Sequence, residues 1–348
     1  MKVIIQLPCF NEEATLPQTL ADLPRHIEGA DSVEWLIVDD GSSDATAEVA
    51  RVNGVDHIIR HKTNRGLAHA FRTALDASLR RGADIIVNTD ADNQYHGGDV
   101  QALAAPILAD RADIVVGDRQ PGALPHFSPV KRLLQRLGSA VVRNLSGTAI
   151  PDAVSGFRAY SRGAALRLNI LSSFSHTIDT LIQAGEKKMT VVSVPVRVNP
   201  VGRQSRLYRN TAHFVIRSVA TMIRMYLMYG PIRLFFGIGA ILSLVGMIPI
   251  FRFLVLYTVG SGEGHIQSLV IGAGFLVIGF VTFLVGLVAD LVNFNRRLME
   301  ISLERVRRME LGERADGEES GPVTERRRGA EDIGSSASQA AQSDFREY

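Results

Sequence analysis

The stretch IIVNTDADNQ at residues 85–94 places a short apolar run directly before a cluster of acid and amide side chains. An apolar, β-branched run that ends at polar turn residues predicts a buried strand. If the backbone stays extended beyond the strand, alternation directs Asp90 and Asp92 to the same side. Their carboxylates, with the amide oxygen of Gln94 nearby, form the oxygen set that Mg²⁺ or Mn²⁺ prefers. Taken alone, such a pair is at least as typical of a capped loop as of a metal site.

Similar apolar runs recur through the first 195 residues. They predict strands at 2–7, 34–38, 57–60, 84–88, 113–116 and 190–194. Helical patterns lie between them: one begins after Thr15, a candidate N-cap residue, and the others cover 44–52 and 66–80. This alternation predicts an α/β domain with a mostly parallel sheet. Ligands of such sheets bind beyond the carboxyl ends of the strands, so the polar residues that follow each strand are the candidates for chemistry.

Two further strand ends carry polar clusters. The stretch DDGSSD at 39–44 offers Asp44 as a cap for the next helix, which would leave Asp39 or Asp40 free to bind a nucleobase or ribose. The stretch PCFNEE at 8–13 adds carboxylates and carbonyls at the same edge. Asn64-Arg65-Gly66 opens a helix, where free N–H groups and Arg65 form a candidate anion site. Simple capping by Asn64 explains the same tripeptide equally well.

The composition excludes several classes of protein. The chain has 348 residues, 46% of them hydrophobic, and a net charge of +2, without the basic excess of a dedicated nucleic-acid binder. A single cysteine, Cys9, excludes an internal disulfide framework and a zinc ribbon. The first apolar run is too short for a signal peptide, so we expect the N-terminal part to be cytosolic.

Two long apolar segments, at 234–257 and 266–288, predict transmembrane helices, because about 20 residues cover a hydrocarbon core of about 30 Å. The loop between them has no lysine or arginine, whereas arginines lie on the other side of both segments. The positive-inside rule therefore predicts that both termini are cytoplasmic. The arginines in question are Arg224, Arg233, Arg296, Arg297, Arg305, Arg307 and Arg308.

Basic amphipathic patterns at 127–146 and 207–230 are typical of helices that lie in the lipid interface, although ordinary domain helices are the alternative for both. After residue 310 the sequence is polar and predicts disorder. The expected organisation is a catalytic domain at 1–206, an interface helix at 207–230, transmembrane helices at 231–258 and 265–293, a basic juxtamembrane helix at 294–310 and a disordered tail at 311–348. Two anchors in each chain also allow a homo-oligomer.

Four motifs occur in order: LPCFNEE at 7–13, VDDGSSD at 38–44, NRG at 64–66 and DADNQ at 90–94. Together they resemble the family 2 glycosyltransferases of GT-A fold. Within that family the chain resembles the polyprenyl-phosphate branch, which includes dolichol-phosphate mannose synthases and bacterial undecaprenyl-phosphate sugar transferases. The resemblance covers about residues 1–230. It implies metal-dependent, inverting transfer of one sugar from a nucleotide-diphosphate donor to a polyprenyl phosphate at the cytosolic membrane face.

The resemblance also implies roles for individual residues. The predicted nucleotide-binding residues are Pro8, Asn11, Glu12, Asp39, Asp40, Arg65 and Asp90, and the predicted metal ligands are Asp90, Asp92 and Gln94. Asp152 would orient the acceptor or accept a proton, unless it only caps a turn, and Arg119 and Arg158 would act beside it. Because a lipid phosphate is already anionic, its site needs positive charge more than a base. The candidates are Arg119, Lys131, Arg132, Arg158, Arg203 and Arg206.

Two other functions fit the same residues. The domain could glycosylate a lipid hydroxyl, such as that of diacylglycerol, in which case Asp152 would be needed as a base. Alternatively, a degenerate transferase domain could serve as a non-catalytic membrane scaffold, although intact Asp90, Asp92 and Gln94 count against that role.

Overall fold

The computed structural model describes residues 1–120, 139–140, 142–143, 146–148, 150–170, 176–199, 231–260 and 266–312. The strands are β1 (Lys2–Cys9), β2 (Ser32–Asp39), β3 (His57–Arg60), β4 (Ile85–Asn88), β5 (Ile114–Asp118), β6 (Arg158–Ser161) and β7 (Val191–Pro195). The helices are α1 (Leu16–Asp22), α2 (Thr46–Val52), α3 (Leu67–Arg80), α4 (Val100–Leu108), α5 (Arg162–Arg167), α6 (His176–Glu186), α7 (Pro231–Thr258) and α8 (Ile266–Glu310).

The seven strands form one sheet in the order β3-β2-β1-β4-β6-β5-β7. All neighbouring pairs are parallel except those of β6, which runs antiparallel to both β4 and β5. The predicted mostly parallel α/β sheet is therefore confirmed, with each predicted strand present. The prediction missed β6, which consists of Arg-Ala-Tyr-Ser and has no apolar run to indicate it.

The core forms on both faces of β1, as expected for a central parallel strand. Val3, Ile5 and Leu7 pack in one buried cluster with Leu16 of α1 and Leu103 of α4. Helix α3 packs on β1 and β2 and carries a separate row of buried side chains: Phe71, Ala74, Leu75 and Leu79. Helices on both faces leave the carboxyl edge of the sheet as the place where polar loops collect.

Thr15 lies at the N-cap position of α1, as the sequence predicts, but its side chain accepts no capping hydrogen bond. Its hydroxyl donates to the Glu12 carboxylate at 2.7 Å and to the Ala91 carbonyl at 3.0 Å, and makes no capping bond to helix α1. The proline of the predicted first turn, Pro17, does lie there. Thr15 thus links the loop after β1 to the loop after β4.

Helices α7 and α8 are long and apolar enough to cross a membrane. They run antiparallel with glycine opposite glycine: a Cβ added to Gly239 would lie 2.9 Å from the Gly279 carbonyl oxygen, and one added to Gly246 would lie 2.8 Å from that of Gly272. Within α7 and within α8 these glycines are seven residues apart, which keeps them on one helix face. Small residues let two membrane helices approach this closely.

The predicted transmembrane segment at 265–293 and the predicted juxtamembrane helix at 294–310 lie in one helix, because α8 continues without interruption from Ile266 to Glu310. Compact packing extends over Met1–Glu304, and Arg305–Tyr348 form a second unit. The predicted interface helix at 207–230, most of the one at 127–146 and nearly all of the predicted disordered tail lie outside the described residues.

Candidate active site at the carboxyl edge of the sheet

The strand register brings the predicted loops together. Cys9 pairs with Asp39, and Asp39 in turn pairs with Arg60, so β1, β2 and β3 end at one level. On the other side of β1, Gln6 pairs with Asn88, the last residue of β4. The loops after these four strands therefore leave the same edge of the sheet.

A buried amide relay connects the Asp90 loop to a loop that lies far along the chain. The Gln6 side-chain amide donates to Asn88 Oδ1 at 3.1 Å, and Asn88 Nδ2 donates to the Gly156 carbonyl at 2.9 Å. Both amide side chains are fully buried. Such a pair is costly to bury unless its hydrogen bonds are made, so it fixes the two loops in one arrangement. Neither Gln6 nor Asn88 belongs to a motif that marks it as functional in the sequence.

Asp90 and Asp92 lie together at the end of this relay, and both are half-buried. Burial, and then the negative charge of Asp92, raises the pKa of Asp90 well above its ordinary value. Burial also raises the pKa of Asp92, although its Oδ1 accepts the Gln94 N–H at 3.2 Å. In the described part of the chain no hydrogen-bond donor reaches the Asp90 carboxylate. Among the described residues, Arg119 is the nearby cation that opposes the rise in the pKa of Asp90, and the Gln94 N–H is the donor that reaches Asp92.

The chemistry of this pair fits a divalent cation. Carboxylate oxygens suit Mg²⁺ and Mn²⁺, and Mg²⁺ is commonly held by one or two carboxylates with the rest of its shell from phosphates and water. The described residues contain no group of three or more His, Cys, Asp or Glu side chains that could hold a metal. The protein would therefore supply Asp90 and Asp92, with Gln94 two residues further along, and other ligands would come from the donor and solvent.

Gly156 allows the Asp90 carboxylate to lie against its backbone. A Cβ at this position would lie 3.2 and 3.3 Å from the two carboxylate oxygens of Asp90. The Gly156 N–H donates to the hydroxyl of Tyr95 at 3.2 Å, and Tyr95 stacks on Phe157 with 4.9 Å between ring centroids. The metal-side loop and the 152–156 loop are thus packed directly on each other.

Asp40 is not the free carboxylate that the sequence predicts. Its Oδ1 contacts His61 Nδ1 at 2.7 Å, and its two oxygens accept the backbone N–H groups of Arg65, at 3.0 and 3.1 Å, and of Gly66, at 2.7 Å. The backbone N–H groups of Arg65 and Gly66 are therefore not available to an anion, and the predicted anion site is left with the Arg65 side chain and the first N–H groups of α3. The Arg65 side chain is exposed, with Nη1 3.4 Å from His69 Nε2.

Asp39 differs from its neighbour. It is fully buried and its Oδ1 accepts the Ser42 N–H at 2.9 Å. Its Oδ2 lies 3.1 Å from Arg60 Nε but makes no hydrogen bond within the described chain. A cavity of about 350 Å³ opens beside this loop, lined by Gly41, Ser42, Arg60, His61 and Lys62.

The other predicted nucleotide-binding residues lie in or just after β1. Pro8 is buried within the strand, opposite Val38. Asn11 has φ of 55° and its Oδ1 accepts the Ser43 N–H at 2.8 Å. The Glu12 N–H donates to Thr46 Oγ1 at 2.9 Å. These bonds join the loops after β1 and β2 into one rim.

Asp152 and Arg119 bind each other. Arg119 Nε donates to Asp152 Oδ2 at 2.7 Å, and Nη2 donates to Oδ1 at 3.0 Å. Asp152 is fully buried, and its charge contributes to raising the pKa of Arg119. Arg119 also lies close enough to Asp90 to oppose the rise in the pKa of that carboxyl. Asp152, held by both oxygens, is poorly placed to act as a general base, which corrects one of its two predicted roles.

Arg158 does not face an acceptor phosphate. It is fully buried, and it donates to the carbonyls of Ala153 and Ser155 at 2.8 Å and to Thr177 O and Thr180 Oγ1 at 2.7 Å. Burial lowers the pKa of its guanidinium. The predicted catalytic and lipid-binding roles of Arg158 are therefore wrong, because its buried guanidinium fastens the 153–155 loop to helix α6.

Four other predicted phosphate-binding residues lie outside the described residues: Lys131, Arg132, Arg203 and Arg206. The described chain approaches the last two through Asn199. The Asn199 N–H donates to the Gln94 carbonyl at 2.9 Å, and its Nδ2 donates to the Asn93 carbonyl at 3.1 Å. The segment that follows β7 is thus attached to the loop that carries Asp92.

Comparisons with known proteins agree with this geometry. Residues 4–168 match the model of glycosyl transferase family 2. An uncharacterised glycosyltransferase of Mycobacterium bovis is 30% identical over 57% of this chain and 85% of its own length. Undecaprenyl-phosphate mannosyltransferase of Micrococcus luteus is 27% identical over 56% of this chain and 83% of its own length.

A solved structure shares the fold. Glucosyl-3-phosphoglycerate synthase of Mycobacterium tuberculosis, crystallised with Mn²⁺, uridine diphosphate and glucosyl-3-phosphoglycerate, matches with a TM-score of 0.50 and 22% identity. The match covers 64% of this chain and 79% of that protein.

Proposed function

The chain belongs to glycosyl transferase family 2, and from that premise we propose that it transfers a single sugar from a nucleotide-diphosphate sugar to a polyprenyl phosphate. The transfer is inverting and depends on Mg²⁺ or Mn²⁺. It takes place at the cytosolic face of the cell membrane, with helices α7 and α8 as the anchor. The observation that carries the proposal is the pair Asp90 and Asp92 at the carboxyl edge of the sheet: no hydrogen-bond donor of the described residues reaches Asp90, and the Gln94 N–H reaches only one oxygen of Asp92.

The donor is proposed to bind across the rim formed by the loops after β1 and β2. The cavity beside Gly41 and Arg60, and the unbonded oxygen of Asp39, support a nucleoside at this end. The diphosphate would then extend toward Asp90 and Asp92. A divalent cation bound there would neutralise the charge that develops on the leaving diphosphate. The related fold crystallised with Mn²⁺ and uridine diphosphate supports this assignment for the fold in general.

The acceptor is proposed to be a phosphate because Asp152, the candidate general base, is paired with Arg119. Both oxygens of Asp152 accept from Arg119, and the carboxylate is fully buried. A lipid hydroxyl must lose a proton as it attacks, whereas a phosphate monoester oxygen is already anionic at neutral pH. The undecaprenyl-phosphate mannosyltransferase among the relatives supports the same class of acceptor.

In the proposed reaction the acceptor phosphate oxygen attacks the anomeric carbon from the side opposite the leaving group. The new bond joins that oxygen to the anomeric carbon, and the bond from this carbon to the donor's diphosphate breaks. The nucleoside diphosphate leaves with the bonding electrons, and one displacement inverts the configuration. Arg119 is oriented by Asp152 and lies close to Asp90. Its guanidinium would hold the acceptor phosphate beside the diphosphate.

Membrane anchoring follows from α7 and α8, and the proposed orientation from the arginines on one side of them. An enzyme whose acceptor is confined to the bilayer gains from being held beside it. Both termini and the catalytic domain are therefore proposed to be cytoplasmic.

The test is to incubate the detergent-solubilised full chain with Mn²⁺, undecaprenyl phosphate and, in separate reactions, a panel of UDP- and GDP-sugars. Mass spectrometry of the lipid fraction should show one glycosyl-phospholipid product, with none in EDTA. Replacing undecaprenyl phosphate by diacylglycerol should give no product. Product with diacylglycerol alone would reject the phosphate acceptor, and no turnover with any acceptor would favour a scaffold.

A further inference from the structure

Helix α8 continues well beyond its apolar part and reaches the catalytic domain. The apolar segment predicted to span the membrane ends at Val288, and the helix runs on to Glu310. At about 1.5 Å rise per residue, Arg297 and Glu300 lie about 14 and 18 Å further along the helix axis. The headgroup layer of one leaflet is only about 5–8 Å thick. These two residues are therefore on the aqueous side of the membrane when α8 spans it.

In this part, on the aqueous side of the membrane, α8 contacts the end of α6. Arg297 Nη2 lies 2.6 Å from the carboxylate of Glu186, the last residue of α6. The next residue, Lys187, places its Nζ 3.1 Å from Glu300 of α8. Glu300 is also 3.1 Å from Arg296 on its own helix, and its side chain is only 11% exposed. A charge this sheltered is stable only with its partners in place.

The polar face of α8 that makes these contacts is covered. Asn293 is 7% exposed and accepts from Arg296 at 3.0 Å, while the side chains of Arg296 and Lys187 are each 18% exposed. Residues 293, 296 and 300 follow the helical repeat and so share one face. A helix projecting freely into water would leave these residues exposed. Their burial shows that α8 packs on the catalytic domain here.

Helix α6 connects this contact to the acceptor side of the active site. The helix is about 16 Å long. At its first turns Thr177 and Thr180 accept from the buried Arg158, which also holds the carbonyls of Ala153 and Ser155. Asp152, directly before that loop, orients Arg119. At its far end, the Lys187 carbonyl accepts from Arg167 of α5 at 2.7 Å, which fixes α6 in the domain.

We propose that the contact of Glu186 and Lys187 with Arg297 and Glu300 sets the height and orientation of the acceptor-side loop above the bilayer. These are positioning residues: they contact neither donor nor acceptor, and they act through α6. The proposal rests on the proposed function for its acceptor, a phosphate carried by the membrane. The contact matters for an acceptor that cannot leave the bilayer, and it matters little for one that diffuses to the site.

The first measurement tests the contact without activity. Spin labels are placed through Val52→Cys and Met299→Cys, at positions 78% and 72% exposed, while the native Cys9 is only 2% exposed and stays unlabelled. Distance distributions are recorded by pulsed electron paramagnetic resonance for the full chain in liposomes. The chain with the contact unaltered should give a narrow distance distribution. Glu186→Arg alone and Arg297→Glu alone should each give a broad distribution. The double variant, in which both charges are reversed, should give a narrow distribution again. A broad distribution with the contact intact, or no change in the single variants, would overturn the proposal.

The second measurement separates positioning from general damage. Each single reversal should lower kcat/KM for undecaprenyl phosphate in liposomes by about fivefold, the size of a lost ion pair, and the double reversal should restore it to within about twofold. With a short, water-soluble prenyl phosphate all variants should agree within about twofold. The matched control is Arg51→Glu, which removes an exposed ion pair with Glu48 inside α2.

An equal loss with both acceptors, or broadened distances with an unchanged rate in liposomes, would overturn the positioning role. If the unaltered chain uses neither acceptor, the proposed function fails, and the spin-label distances still decide whether the contact exists.

Discussion

Two acidic pairs follow two strands of the same sheet, and their surroundings are opposite. After β2, Asp40 accepts two backbone N–H groups and contacts His61, so its charge is matched by the protein. After β4, Asp90 has no donor among the described residues, and burial raises its pKa. Aspartates at the same edge of one sheet thus differ: Asp40 holds a neighbouring loop through hydrogen bonds, whereas Asp90 accepts none from the described residues.

The difference comes from the loops that approach each pair. Gly41 has φ of 74°, and a Cβ there would lie 2.6 Å from the Thr63 carbonyl carbon, so the 61–66 loop comes close enough to donate to Asp40. Beside Asp90 the close neighbour is Gly156, whose own N–H donates to Tyr95 instead. The number of donors that reach a carboxylate decides whether it is available to a ligand.

The largest expected effect is on activity, through Asp90. Asp90→Asn should lower kcat/KM for lipid glycosylation about a thousandfold, because a cation that offsets leaving-group charge contributes several kcal/mol. Unfolding measured without metal should show no loss of stability, since the change removes an unfavourable buried charge. Asp92→Asn should behave alike. Activity within tenfold of the original would contradict the metal role.

The next effect is on stability, through Asp40. Asp40→Ala should lower the free energy of unfolding by about 2–4 kcal/mol, because the N–H groups of Arg65 and Gly66 lose their acceptor. Thermal unfolding of the metal-free protein measures this. Asp40→Asn, which keeps one acceptor oxygen, is the control and should lose less. Equal stability of all three proteins would mean that Asp40 does not hold the loop.

Added metal should distinguish the two pairs directly. Mn²⁺ at about a hundred times its dissociation constant should raise the free energy of unfolding by about 2.7 kcal/mol. Asp92→Asn should abolish that gain, whereas Asp40→Asn should keep it although it starts from a lower stability. If both variants lost the stabilisation by Mn²⁺ equally, the metal would not bind at Asp90 and Asp92 in preference to Asp40.

The smallest effect is expected for Asn64, the alternative cap of α3. Its Oδ1 accepts the Gly66 N–H at 3.0 Å, but that N–H also donates to Asp40 at 2.7 Å. Asn64→Ala should therefore cost only about 0.5 kcal/mol of unfolding free energy, at the low end for a cap. A loss of stability comparable with that of Asp40→Ala would mean that Asn64, and not Asp40, holds the loop in place.

The parallel strands could be predicted from the sequence because their burial on both faces requires continuous apolar runs, as in β1 and β4. Strand β6 could not, because the buried Arg158 depends on acceptors in the 153–155 loop and in α6, as far as 22 residues away at Thr180. The acidic motifs do follow β2 and β4, but whether each carboxylate is available to a ligand depends on non-local donors, such as Arg65 for Asp40 and Arg119 for Asp152.

The glycine contact between α7 and α8 was, by contrast, open to prediction. Gly239 and Gly246, and Gly272, Gly279 and Gly286, recur every seven residues within two apolar segments. That period marks one face of a helix that packs closely on another. The uninterrupted α8 was harder to predict, because the change from apolar to charged residues after Val288 alters its surroundings without breaking the helix.

The close approach of Gly156 to Asp90 restricts how this enzyme can diverge or be redesigned. A Cβ at 156 would lie 3.2 Å from the nearer carboxylate oxygen of Asp90, so the aspartate would have to shift by a few tenths of an ångström to accommodate a side chain there. Covariation across relatives should show glycine at 156 wherever the aspartate is retained. A chimera that borrows an acceptor loop from another transferase should keep its donor chemistry only if it keeps that glycine.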